Sequence, residues 1–162
     1  MHAVENDEEW VKTCQERNKL EHTHYHISDC RMTTFSGRIC TRFDTLPNIC
    51  PDFIYIDGPG QFTVLGDSFG ISTNHPDRLP MAADVLAIEH FLLPGTLIVV
   101  DGRTANARFL KSNFQRSWLY WHDVEADQHF FELMEKPLGR FNKQRIDFCL
   151  GEAYYSRLSE HG

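Results

Sequence analysis

The sequence predicts an α/β fold: a doubly wound, mostly parallel sheet with a C-terminal antiparallel hairpin. Three observations carry that expectation. Strand-like and helix-like segments alternate along the chain, which implies βαβ units. Residues 52–57 and 96–101 are short apolar runs, as in parallel strands covered on both faces. Each run ends in an acid followed by glycine, Asp57-Gly58 and Asp101-Gly102.

The elements follow in order. Ala3 and Val4 read as the end of a strand, and the polar run Glu5 to Glu9 leads into a helix. Asn6 or Asp7 can cap that helix, and acids in its first turn suit its dipole. Trp10, Val11 and Cys14 define one face at helical spacing, and the helix is expected to end near Asn18. Residues 22–28 alternate like a strand, and residues 37–43 form a second, weaker one. Thr33, Thr34, Ser36 and Gly37 supply a turn between them. Residues 58–80 are a long Gly-, Ser-, Asn- and Pro-containing connection, a length usually associated with function. Pro80 opens a helix that ends at Pro94-Gly95. Thr104 can cap a further helix to about Phe114. Residues 118–121 and 128–134 read as a hairpin, and residues 145–150 as a last weak strand. Residues 1–150 form one α/β domain in this reading, and 151–162 a polar tail.

Composition narrows the function classes. The 162 residues are 41% hydrophobic and 24% charged, enough apolar content for a packed core. The net charge of −7 and the scattered basic residues argue against nucleic acid. The longest apolar run, 91–100, contains Pro94 and Gly95 and is too short to span a bilayer. The five cysteines include no C-x-x-C pair and follow no signal peptide, so they read as reduced thiols in a cytoplasmic protein. The expected partners are a small-molecule substrate and, among proteins, a second copy of the chain as a homo-oligomer.

Three acids stand at strand ends: Glu5, Asp57 and Asp101. In open α/β sheets ligands bind outside the carboxyl ends of the strands, and an acid there can accept both ribose hydroxyls of a nucleotide. Each acid taken alone also reads as an ordinary loop or cap residue. His75, on the long loop, has a suitable pKa for general-base work near neutrality, or is simply solvated. Arg103 can clamp an anionic group or be a surface arginine at a helix start. His22, His24 and His26 share a strand face; a zinc site and a polar, solvent-facing edge are the two readings. Trp118, Tyr120 and Trp121 fit sheet packing better than substrate stacking.

These segments resemble class I S-adenosylmethionine-dependent methyltransferases, over roughly residues 3–134. Residues 4–10 (VENDEEW) look like the second strand and following helix of that family, where the terminal acid holds the cofactor's ribose. Residues 52–59 (DFIYIDGP) are similar to its fourth strand, and residues 91–101 (FLLPGTLIVVD) to its helix end, Pro-Gly turn and fifth strand. The hairpin corresponds to its sixth and seventh strands. The resemblance implies a Rossmann-like fold, S-adenosylmethionine as cofactor and methyl transfer to a small-molecule acceptor. It implies cofactor contacts at Glu5, Asp57, Gly58 and Pro59, and catalytic positions at Asp57, Asp101 and His75. No metal ligands are assigned, because the metal-dependent members carry Asn where Gly102 stands. The family's first strand and glycine-rich loop fall before residue 3, so the chain reads as N-terminally incomplete and its activity alone as impaired. The alternatives are a non-catalytic Rossmann-like binding module or degenerate relic, and another nucleotide-binding Rossmann-like enzyme. The last requires a Gly-x-Gly-x-x-Gly turn, which the sequence lacks.

Overall fold

In the computed structural model, which describes residues 1–17 and 22–161, the chain divides into two units. One comprises Met1–Ile49 with Gly58–Val85, the other Cys50–Asp57 with Leu86–Gly162.

The first unit begins with β1 (His2–Glu5), α1 (Glu8–Arg17) and β2 (His24–Ile27). β1 and β2 pair in parallel, with Glu5 opposite Ile27. Asp7 caps α1 by accepting the Trp10 backbone N–H at 3.0 Å. Of the face predicted for this helix only Val11 is buried, and Trp10 lies exposed. The expected helix end at Asn18 falls outside the described residues. β3 (Cys30–Phe35) and β4 (Arg38–Phe43) form an antiparallel hairpin. Its two-residue turn is Ser36-Gly37, both at positive φ (47° and 75°), as a tight hairpin turn demands. Thr33 and Thr34, expected in the turn, belong to β3 instead: β-branched residues fit the pleat. The long connection lies along both edges of this hairpin. Leu65 bridges to Arg31 of β3, and Ala82 bridges to Thr41 of β4. Cys30, Cys40 and Thr41 are the buried centre.

The second unit is built on β5 (Phe53–Ile56), β6 (Leu97–Asp101), β7 (Trp118–Asp123) and β8 (Gln128–Leu133), in the order β5-β6-β8-β7. β5 and β6 are parallel; β8 is antiparallel to both β6 and β7. Three helices belong to this unit: α3 (Thr104–Asn113), α4 (Gly139–Cys149) and α5 (Gly151–His161). The helix expected from Pro80 onward is shorter, α2 (Asp84–Ile88) followed by a 3-10 turn at Glu89–Phe91.

The doubly wound, mostly parallel Rossmann-like sheet is therefore corrected. The described strands form two separate two-stranded sheets and one mixed four-stranded sheet. The error lies in reading apolar runs as central strands. β6 is central, with Ile98, Val99 and Val100 buried. β5 is an edge strand: Phe53 and Tyr55 are 56% and 50% exposed. A four-residue apolar run has the same sequence signature in either place. β1 and β2 pair with each other alone, so among the described residues β6 is the one parallel partner of β5 and its other edge has none.

Residues 145–150 are helical, not a strand. Asn142, Ile146, Leu150, Tyr154 and Leu158 recur every fourth residue, a helical stripe that runs through α4 and α5. Ile146 and Tyr154 are fully buried with Met134, and Leu119, Leu150 and Leu158 pack around them. The Pro94-Gly95 turn receives α4: Asn142 Nδ2 and Arg145 Nη2 both donate to the Pro94 carbonyl, at 3.0 and 2.7 Å. Gly95 has φ +82°, and a Cβ there would meet Leu150 at 2.9 Å, so only glycine fits this contact. Among the described residues no helix is long and apolar enough to cross a membrane.

Candidate functional site

The predicted site residues fall in both units, and each unit assembles its own share. In the second unit, Asp57 and Asp101 follow or end the parallel neighbours β5 and β6 at their carboxyl ends. Asp101 accepts hydrogen bonds from the Tyr55 hydroxyl and from Gln128 Nε2, the latter at 3.2 Å. The Tyr55 phenol is pushed up to about 12, first by that bond to Asp101, then by desolvation and by the charges of Asp101 and Asp57. It therefore stays a neutral donor across the physiological range. Arg103 Nη2 donates to the Asp57 carbonyl at 2.7 Å, while its Nη1 is buried with no hydrogen-bond partner. The guanidinium is thus bound to the strand end by one nitrogen only.

In the first unit, Glu5 closes β1, and its carbonyl accepts the Ser28 N–H at 2.9 Å. The next residue, Asn6, donates to the Thr63 carbonyl at 2.9 Å. Thr63 in turn donates to the Gly60 carbonyl, through its hydroxyl at 3.0 Å and its N–H at 3.2 Å. The carboxyl end of β1 is therefore fastened to the turn that follows Gly58 and Pro59. Pro59 is buried and Gly58 partly so. The same loop reaches His75: Gln61 Nε2 donates to the His75 carbonyl at 2.6 Å, and the Thr73 hydroxyl to the Gln61 carbonyl at 2.7 Å. Glu5, Gly58, Pro59 and His75 thus lie on one hydrogen-bonded set of loops.

His75 is half-exposed, and its Nδ1 accepts the Asp77 N–H at 3.1 Å. A neutral ring that accepts at Nδ1 carries its proton on Nε2. His75 Nε2 is then a donor, which suits orienting an acceptor better than deprotonating it. The cysteines of this unit's centre offer no nucleophile: burial pushes the Cys30 and Cys40 thiols to about 12 and about 11.

The three histidines do not share one strand. His24 and His26 stand on β2 beside His2 of β1, and His2 Nδ1 and His26 Nε2 are 2.8 Å apart. His22 lies outside the strand. Burial and the neighbouring His24 and His26 push the His2 ring below its ordinary value.

Sequence reasoning missed Tyr55 and Gln128, which hold Asp101. Tyr55 was legible only as a strand residue; its alternation with Asp57 places it on the face of the strand-end acid. It also missed a cluster on the β7–β8 hairpin, where His122, Asp127 and His129 bring their ligand atoms within 4.8 Å of one another. The signal was register: His122 and His129 are directly opposite across the hairpin.

No family model, no curated protein and no solved structure matches this chain.

Proposed function

We propose that the chain is an S-adenosylmethionine-binding, methyltransferase-like protein that acts on a small-molecule acceptor. One observation carries the reading. The helix entrance is capped by Asp7, not Glu5. Glu5 stands instead at the carboxyl end of a parallel strand, beside a loop held to it through Asn6 and Thr63. A carboxylate so placed fits the vicinal hydroxyls of a ribose, each donating one hydrogen bond. The residues 4–10, 52–59 and 91–101 that resemble the methyltransferase family support the same assignment; the sheet order plays no part in it.

When bound, the cofactor supplies an electrophilic methyl, whose transfer breaks the S–CH3 bond, leaves the electron pair on sulfur and forms one bond to the acceptor's nucleophile. The chain's own residues would hold and orient. Glu5 would take the ribose, with Gly58 and Pro59 lining the approach. His75 would donate from Nε2 to an acceptor oxygen, and the acceptor's proton would leave to solvent or to a carboxylate.

The mutant Glu5→Gln tests this reading. Charge-assisted bonds are worth about 1.5–3 kcal/mol each, so affinity for S-adenosylmethionine should fall about tenfold or more. The cap of α1, made by Asp7, is untouched by this change. Calorimetry and a melting curve on the same sample decide it. Unaltered affinity with a lowered melting temperature would make Glu5 a structural residue.

A further inference from the structure

We propose that His122, Asp127 and His129 form a binding site for a single divalent cation of the zinc type. This site is independent of the cofactor reading above. Two imidazoles and one carboxylate are a borderline donor set, suited to Zn²⁺ and leaving a fourth position for water.

The hairpin builds the site. His122 of β7 and His129 of β8 are a direct cross-strand pair, so their side chains leave the same face of the sheet. Their rings stack with centroids 3.9 Å apart and planes 9° from parallel. Asp127 ends the turn in a left-handed conformation (φ 52°), which aspartate tolerates better than most residues. Its carbonyl accepts the Gly102 N–H at 2.8 Å, which fixes the turn against the end of β6. Its Oδ1 lies 3.8 Å from His122 Nε2.

His129 is buried, and both its nitrogens have hydroxyl neighbours at 3.0 Å: Thr104 Oγ1 at Nε2 and Tyr120 at Nδ1. A hydroxyl either donates or accepts. One ring nitrogen can therefore turn to a metal while the other keeps its partner, the outer-shell arrangement that orients metal-bound histidines. Parallel stacked rings aim their lone pairs side by side. Convergence on one ion requires His122, the more exposed of the two, to turn about its Cβ–Cγ bond. Bonds of about 2.0–2.1 Å bring tetrahedral ligand atoms to roughly 3.3 Å of one another, so the present spread must close by about 1.5 Å. The movable members, His122 and the exposed Asp127, are the ones that must shift.

The test is competition for Zn²⁺ against a chromophoric chelator, using the whole chain. Wild type should take up one zinc that both His122→Ala and Asp127→Asn weaken at least tenfold, each variant melting like the wild type. Both changes are on the exposed turn side, and Asp127→Asn is isosteric, so one of them should remain folded. The double variant His24→Ala/His26→Ala removes the other histidine cluster and should leave this affinity unchanged. The proposal is overturned if wild type takes up no zinc, if both single variants bind as wild type does, or if the His24/His26 variant is the one that loses the ion.

Discussion

Replacing Glu89 by alanine is expected to cost about 3 kcal/mol or more of stability, through the donors it leaves without an acceptor. Glu89 is 3% exposed. Its Oε1 accepts the N–H groups of Gln115 and Arg116 and the Trp118 indole N–H, each at 2.9 Å. Its backbone carbonyl accepts Arg116 Nη1 at 2.9 Å. Arg116 is also paired with Glu135 at 2.6 Å. One carboxylate thus holds the connection between α3 and β7. Alanine would leave three part-buried donors without their acceptor, and an unsatisfied buried group costs about 1–3 kcal/mol, less where water reaches it. Glu89→Gln should lose less, since one oxygen remains, but its amide N–H₂ would face other donors. Urea denaturation of both variants checks the order. A loss under about 1 kcal/mol for alanine would mean that water replaces the carboxylate.

The second large effect is pH-dependent and has the opposite sign. Burial pushes the Asp84 carboxyl up to about 6, against the bond it accepts from the Phe43 N–H at 2.9 Å. The folded pKa is raised above the unfolded one. The folded state therefore favours the proton, and the associated stability is complete below about pH 4 and lost as pH rises through about 6. Above that window Asp84 is a charge held at a cost. Asp84→Asn keeps the oxygen that accepts the Phe43 N–H and cannot ionise. At pH 7.5 it should be more stable than wild type by about 1–3 kcal/mol, since each pKa unit is worth about 1.4 kcal/mol. Its stability should also change less than that of wild type between pH 4 and 6. An asparagine variant that is weaker at pH 7.5, with an unaltered pH slope, would show that the carboxylate is stabilising there.

Local elements were more legible in the sequence than their assembly. The apolar runs at 53–56 and 97–100 mark strands that pair in parallel. The alternation at 118–134 marks the hairpin, interrupted by the Asp123 turn. The assembly was misread because edge and centre are not encoded in so short a run: Phe53 and Tyr55 look as buried as Ile98 and Val100 and are not. The α4–α5 pair was hidden because Ile146 and Phe148 alternate like a strand, although Phe148 is 92% exposed and the true period is the four-residue step from Asn142 to Leu158. In the site, the strand-end acids were visible as an Asp-Gly signature. Their partners Tyr55 and Gln128 were not, because they reach Asp101 from other strands, through register that only the folded chain supplies. The hairpin histidines were hidden for the same reason.

The cofactor assignment rests most heavily on the end of β1 and the loop fastened to it. Amide chemical-shift mapping during titration with S-adenosylmethionine tests it directly. Ligand binding should move the amides of residues 4–6, 58 and 60–63 in a saturable way, and the demethylated product should compete for the same shifts. Shifts confined to other parts of the chain, or none at millimolar ligand, would contradict the assignment of Glu5 and the Gly58-Pro59 loop as a cofactor site.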